Sequence, residues 1–296
     1  MKKDFCVIAY ASGEPYTTEA KQLENLCIES NLQFKLYDSE WLKTTQFYLD
    51  NKELLNSKKS GYCAWKPFII LDALKTYKKV LYLDSSMLFV KEHIQEFIDT
   101  QFSILSTETP LVNRYHTKKE TFVIMECDEE KYWNCNQVWA GVILATKDAK
   151  GLLNEWLHYC CIKECVSDDY DKTINRDLKY VLYDQSIYSI LYKKYHKEQF
   201  NNLKIGLVGK DDYFYFVDTR EPGHRKSIIE IFGKSYMQKQ DNLISDYYND
   251  YYTAGSVVYD PKPFLQDKIM VCTVTVDGED IEKSIIDFIK NMIDSS

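Results

Sequence analysis

Short apolar runs alternate with longer amphipathic stretches along most of the chain, and that alternation predicts an α/β protein. Phe5 to Tyr10 reads as a buried strand, with Ala11-Ser12-Gly13 as a small-residue turn after it. Thr17 or Thr18 then caps a helix whose Ala20, Leu23, Leu26 and Cys27 form an apolar face, and Gln33 to Tyr37 supplies the next strand. Residues 41 to 60 read as a polar, helical excursion. Pro67 suits the start of a helix in which Ile70, Leu71, Leu74 and Tyr77 recur on one face. The run Val80 to Asp84 follows directly. It is apolar and ends in a carboxylate, as expected of a buried strand that delivers Asp84 to the carboxyl edge of a sheet, where open α/β sheets bind their ligands.

Further along, Phe102 to Ser106 reads as a strand, and 107 to 135 shows no clear period. Residues 136 to 146, NQVWAGVILAT, read as one apolar strand with Ala140-Gly141 in its middle, and a glycine there marks close approach by a ligand or another backbone. A helix over 148 to 165, a charged loop over 166 to 179, a helix from Asp184 to Tyr195 with Ile187, Ile190 and Leu191 inward, and a strand from Leu203 to Val208 follow. From 211 the texture changes, and Pro222-Gly223-His224-Arg225-Lys226 is a turn dense in hydrogen-bond donors. The expected organisation is a main domain over 1–236, a linker or draped arm over 237–264, and a strand and helix over 265–296, either an extra layer or the start of a second domain.

Composition narrows the function. With 296 residues, 45% of them hydrophobic, a sizeable core is possible, and a net charge of −8 argues against nucleic acid as a partner. Nine cysteines without a Cys-x-x-Cys pair fit free thiols in a reducing compartment, and Cys160, Cys161 and Cys165 read as small apolar residues of a helix rather than metal ligands. No glycosylation sequon, signal-peptide core or membrane-spanning apolar run is present, so the expected location is cytoplasmic. Neither G-x-G-x-x-G nor a phosphate-loop motif occurs. Instead, Trp65 and Lys66 at a helix start and Asp84 at a strand end bring together an aromatic plate, a cation and a carboxylate. Those groups suit a phosphorylated ligand held with a divalent metal.

The pattern also resembles a family. WKP at 65 to 67, DSSM at 84 to 87, QVWAG at 137 to 141 and DQS at 184 to 186 stand in the order found in GT-A-fold, nucleotide-sugar-dependent glycosyltransferases of the type W-K-P, D-A-G-C or D-x-D, Q-x-x-A-G, D-Q-S. The likeness covers roughly residues 5 to 230. It implies a GT-A-like, Rossmann-like α/β/α sandwich with a central mixed, mainly parallel sheet. It also implies transfer of a hexose from a nucleotide-diphosphate sugar, UDP-linked, to a saccharide or glycoconjugate, as in polysaccharide biosynthesis. Carried over by position, Tyr10, Ala11 and Ser12 meet the nucleoside, with Trp65 as a wall. Lys66 faces donor phosphate or sugar, Asp84 with the adjoining Ser85 and Ser86 forms the metal motif, and Gln137, Ala140 and Gly141 line the sugar pocket. His224 is the second ligand of a Mn²⁺ or Mg²⁺ ion, and Arg225 joins Lys66 in offsetting the leaving diphosphate's charge. If transfer inverts the anomer, Asp184 is the candidate base; if it retains, Gln185 steadies the sugar.

Two departures stand out. Asp84-Ser85-Ser86 lacks the second carboxylate of D-x-D, and Tyr180 to Tyr183 replaces the family's more basic lead-in to D-Q-S. The rival reading is a non-catalytic nucleotide-sugar or glycan-binding module with a degenerate metal motif. A glycoside hydrolase needs two facing carboxylates, and no such pair is evident.

Overall fold

Strands with both faces covered read as unbroken apolar runs, and here the two faces feed two separate cores. The computed structural model describes residues 3–99, 101–106, 108–195 and 216–218. Strand β1 (Lys3–Tyr10) lies between β2 (Phe34–Tyr37) and β3 (Tyr77–Leu83), parallel to both. Next to β3, and antiparallel to it, runs Val142–Thr146, which in turn pairs antiparallel with Ile104–Leu105. We number these last two β8 and β5. Between β3 and β8 in the chain also come β4 (Met87–Phe89), β6 (Glu108–Val112) and β7 (Asn136–Val138). The sheet order is β2-β1-β3-β8-β5, so every strand but β8 points the same way. A mixed, mainly parallel sheet was the expectation.

Alternation along these strands builds the sandwich. Cys6, Ile8, Tyr10, Val80, Tyr82, Ile143 and Ala145 face one core, which helices α2 (Lys66–Thr76), α4 (Lys150–Cys160) and α5 (Tyr183–Tyr195) complete. Val7, Ala9, Leu81, Leu83, Val142 and Leu144 face the other, closed by α1 (Tyr16–Glu29) and α3 (Lys91–Ile98). Helices α1 and α5 supply the apolar stripes their sequence predicts, with Leu23, Leu26 and Cys27 inward on α1 and Ile187, Ile190 and Leu191 on α5. On α2 the stripe is Ile69, Ile70, Ala73 and Leu74, with Leu71 only partly covered and Tyr77, expected on this face, already the first residue of β3.

Several boundaries differ from the sequence reading. Residues 136 to 146 are two strands, because the chain leaves the main sheet at Trp139 to Gly141 and β7 pairs with β6 instead. A continuous apolar run carries no periodicity that marks such a break. Neither threonine caps α1. The helix starts at Tyr16, and the Glu14 carboxylate accepts from the Thr17 hydroxyl and the Thr18 N–H. The strand expected over 102 to 106 shortens to two residues, and the helix over 148 to 165 ends at Cys160 before a separate turn at Lys163–Val166. A short strand β9 (Phe216–Asp218), unmarked in the sequence pattern, pairs antiparallel with β4.

All described residues belong to the first of the chain's two units, Met1–Met237 and Gln238–Ser296. The expected strand at 203–208, the turn holding His224 and Arg225, the arm at 237–264 and the unit at 265–296 lie outside the described residues. No described helix is long and apolar enough to cross a membrane.

Because Leu144 sits on central β8 with no exposed surface, Leu144→Ala is expected to cost about 2–5 kcal/mol, with a fall in Tm on the order of 10 °C. Thermal unfolding by circular dichroism measures it, and a change within 1–2 °C, roughly the size expected at a surface position, would contradict the packing described.

Candidate active site

The same alternation that builds the sheet aims one carboxylate. Val80, Tyr82 and Asp84 share a side, so Asp84, the first residue past β3, projects toward the layer that contains α2. Helix α2 runs antiparallel to β3 because Thr76 passes straight into Tyr77, which brings its first residue, Lys66, to the carboxyl ends of β1 and β3. Pro67 at the second helical position removes an N–H that has no intrahelical partner there.

Lys66 is the centre of the arrangement. It is 4% exposed. Its Nζ donates to the Ala140 carbonyl at 3.0 Å and lies 3.2 Å from Asp84 Oδ1 and 3.4 Å from Asp184 Oδ2. The Tyr82 ring lies 5.1 Å away, and the Tyr82 hydroxyl donates to Asp84 Oδ1. Asp184 is as buried as Lys66, whereas the Asp84 side chain is 38% exposed and forms the mouth of the cluster. Gly141 packs against that carboxylate. A Cβ on it would fall 2.9 Å from Asp84 Oδ2 and 2.7 Å from Trp139 Nε1, and the Asp84 N–H donates to the Gly141 carbonyl at 2.9 Å.

One ammonium between two carboxylates explains the electrostatics. Burial penalises the Lys66 charge, but Asp184 and Asp84 outweigh that penalty and hold its pKa well above the usual lysine value. Asp184 is pushed up to about 6, first by burial and then by the neighbouring Asp84 charge, with Lys66 pulling the other way. The lysine gains from two partners, while the buried aspartate shares one.

A second network flanks the first. The Gln185 amide donates to Gln137 Oε1 at 3.0 Å and its carbonyl accepts from the Ala140 N–H at 3.2 Å. Gln137 donates to Thr117 Oγ1 at 3.0 Å and Ser186 Oγ at 3.3 Å, and Ser189 Oγ accepts from the Val138 N–H at 2.8 Å. Residues from QVWAG and DQS therefore meet side chain to side chain across the start of α5. Tyr10 and Trp65 also meet, their rings stacked at 3.8 Å and both buried, so Tyr10 gives a face to Trp65 rather than to open space. Ala11 is buried, and Ser12 donates to Ser39 Oγ at 2.8 Å.

Ser85 and Ser86 are buried, and Ser85 donates to Glu19 Oε2 at 2.9 Å, so its hydroxyl braces the turn instead of facing the mouth. Asp184, the expected base of an inverting transfer, is buried against Lys66. Glu19, Tyr82 and Thr117 were missed: Tyr82 was readable from strand parity with Asp84, whereas nothing local marks Glu19, whose partner is 66 residues away. His224 and Arg225 lie outside the described residues. Cys160, Cys161 and Cys165 are free thiols, with Cys161 pushed up to about 11 and Cys165 to about 12 by burial.

No protein-family model matches the chain, and no curated protein does. Among solved structures, it is similar to a glycosyltransferase involved in glycosylation of the major capsid of PBCV-1, at 19% identity and a TM-score of 0.29 over 52% of this chain and 65% of that one. Mouse xyloside xylosyltransferase 1 is similar at 9% identity and a TM-score of 0.40, over 73% and 97%. Galactosyltransferase LgtC, in complex with donor and acceptor sugar analogs, is similar at 16% identity and a TM-score of 0.33, over 63% and 70%. These neighbours are glycosyltransferases. The chain spans less than two thirds of the length of the first.

Removing one partner of a buried pair strands the other, so Lys66→Met is expected to cost about 3–5 kcal/mol, and adding Asp184→Asn should recover part of it. A denaturant double-mutant cycle reads both, and additive costs would deny the pairing. The pH response has a definite sign. Because the folded-state pKa of Asp184 lies above the ordinary carboxylate value, the stability it adds is present at low pH and is lost as pH rises through about 6. The Tm of Asp184→Asn relative to the unsubstituted protein should therefore move in the variant's favour between about pH 4 and pH 7. A constant difference would mean that the group is ionised throughout.

Proposed function

We propose that the chain is a GT-A-type glycosyltransferase that moves a hexose from a UDP-linked donor to a saccharide or glycoconjugate acceptor. The observation that carries this reading is the buried Lys66 ammonium, held by Asp84 and Asp184 at the carboxyl edge of the sheet. A preorganised cation beside an accessible carboxylate suits a reaction in which negative charge grows on a leaving diphosphate. The reaction itself breaks the bond between the anomeric carbon and the diphosphate oxygen and forms one to an acceptor hydroxyl.

A divalent ion belongs in this proposal for an electrostatic reason. Two carboxylates against one ammonium leave the cluster net negative when Asp184 is ionised, which disfavours a diphosphate. Among the described residues Asp84 Oδ2 has no hydrogen-bond partner, and Gly141 and the Trp139 indole close one side of it. That hard oxygen fits Mn²⁺ or Mg²⁺, with Asp84 as one ligand and His224 as the other. When bound, such an ion offsets the charge of the diphosphate.

The chain's own groups do the remaining work. Lys66 stays protonated at neutral pH and presents its charge to the donor, with Arg225 as a second proposed cation. Asp184, too deep to take a proton from an acceptor, keeps the ammonium aimed. Gln185, bridging Gln137 and Ala140, steadies the sugar beside Gly141.

Turnover and binding test this separately. With UDP-glucose or UDP-galactose and Mn²⁺, the protein is expected to release UDP, and Lys66→Met and Asp84→Asn should each slow release by about 100-fold or more. Asp84→Asn and chelation should also abolish the Mn²⁺-dependent part of the donor-induced rise in Tm. Binding without turnover would favour the non-catalytic module, and no response to any nucleotide sugar would overturn both.

A further inference from the structure

A cleft of about 380 Å³ lies beside the glutamine network. A volume of that order accommodates a small ligand. One wall runs from Arg114 to Phe122 with Trp133, and the other is the loop 173–178. Asn175, almost fully buried, pins the two walls together. Its Oδ1 accepts from the Lys119 N–H at 2.7 Å, and its amide donates to Glu120 Oε2 at 2.8 Å and the Asp171 carbonyl at 2.9 Å. Glu120 also accepts from the Asp171 N–H at 3.1 Å, and Asp171 accepts from the Thr173 N–H and hydroxyl, both at 2.7 Å. Those carboxylates are thus engaged in holding the loop, and the opening is preformed.

Its lining runs against the charge of the whole. The chain carries a net charge of −8, yet Arg114, Lys119 and Arg176 line this cleft against Asp177 alone. Lys119 is committed, paired with Asp128 at 2.6 Å and lying 4.5 Å from the centre of the Trp133 ring. The arginines are available. Arg176 uses only its Nε, donating to the Thr173 carbonyl at 3.2 Å, and Arg114 has no partner among the described residues. The Trp133 indole is fixed by its N–H, which donates to Asp128 Oδ1 at 3.0 Å, and Ile174, 54% exposed, adds an apolar surface. Guanidinium groups favour carboxylate and phosphate oxygens, and a fixed aromatic face favours the C–H face of a sugar ring.

Hydrogen bonds link the lining of the cleft to the first site. Thr117 lines it and accepts from Gln137, Gln137 accepts from Gln185, Gln185 accepts from the Ala140 N–H, and the Ala140 carbonyl accepts from Lys66. We propose that this cleft takes the acceptor as an anionic saccharide, a sugar bearing a carboxylate or phosphate, with Arg114 and Arg176 on the oxyanion and Trp133 on the ring. The role as acceptor rests on the glycosyl-transfer reading; the ligand class does not.

Calorimetric titration of the full chain with glucuronate, glucose 6-phosphate, glucose and inorganic phosphate tests the class. Both anionic sugars are expected to bind roughly tenfold or more tightly than glucose, and an Arg114→Gln/Arg176→Gln double variant should lose that advantage. Trp133→Ala should weaken the sugars but not inorganic phosphate. Preference for glucuronate over glucose 6-phosphate would identify a carboxylate ligand, and the reverse a phosphate. Equal binding of glucose, retention in the double variant, or phosphate binding as tightly as either anionic sugar would overturn the proposal. UDP-glucose and UDP-galactose thermal shifts are run on the same samples and should be unchanged in the double variant. Anionic-sugar binding without any donor shift would sink glycosyl transfer but leave the cleft standing, whereas the opposite result would remove the cleft alone.

Discussion

A lysine ammonium taken out of water must be matched by charge and hydrogen bonds, and Lys66 is matched by groups from three other parts of the chain. Asp84 comes from the end of β3, the Ala140 carbonyl from the break between β7 and β8, and Asp184 from the start of α5. Breaking the buried Lys66–Asp184 pair in a dry interior costs on the order of 3–5 kcal/mol, and the partly exposed Asp84 adds less because water screens it. The nitrogen therefore acts as a junction that fixes helix start, strand end, break and second helix relative to one another. Gly141 belongs to the same constraint, because only a residue without a Cβ lets the break pass so close to the Asp84 carboxylate.

This junction is also where the molecule departs from what stability alone would favour. An apolar side chain in place of the buried pair would avoid the desolvation that pushes Asp184 up to about 6. Holding two carboxylates and one ammonium together keeps a charged cluster poised at the sheet edge, with Asp84 as its exposed end. The glutamine pair beside it is neutral, and beyond that lies a cleft of opposite sign lined by arginines. Negative and positive regions thus stand side by side, linked by amides that fix geometry without adding charge.

Much of the architecture was legible in the pattern of residues. Continuous apolar strands mean burial on both faces, and the stripes on α1 and α5 face inward as read. Lys66, Asp84, Gln137, Asp184 and Gln185 were all singled out, and the fold gathers them into two adjoining networks. Errors fell where local signals are silent. The run 136 to 146 is apolar throughout, so its division at Trp139 to Gly141 follows from pairing with β6 on one side and β3 on the other. The Ser85 hydroxyl turns to Glu19, and Arg114 and Arg176 line one cleft beside a loop held by Asn175; no neighbour in sequence announces either.

Taken alone, the order of residues determined the class of fold, the strand faces and the identities of the groups able to carry chemistry, because periodicity and side-chain type are local properties. Tertiary structure decided what those groups do to each other. Whether Asp184 is an open base or a buried counter-ion, and whether Ser85 faces ligand or core, depends on which distant segment lies across from it. Those distances are set by packing the whole sheet between two helical layers, a balance no single stretch of the chain contains.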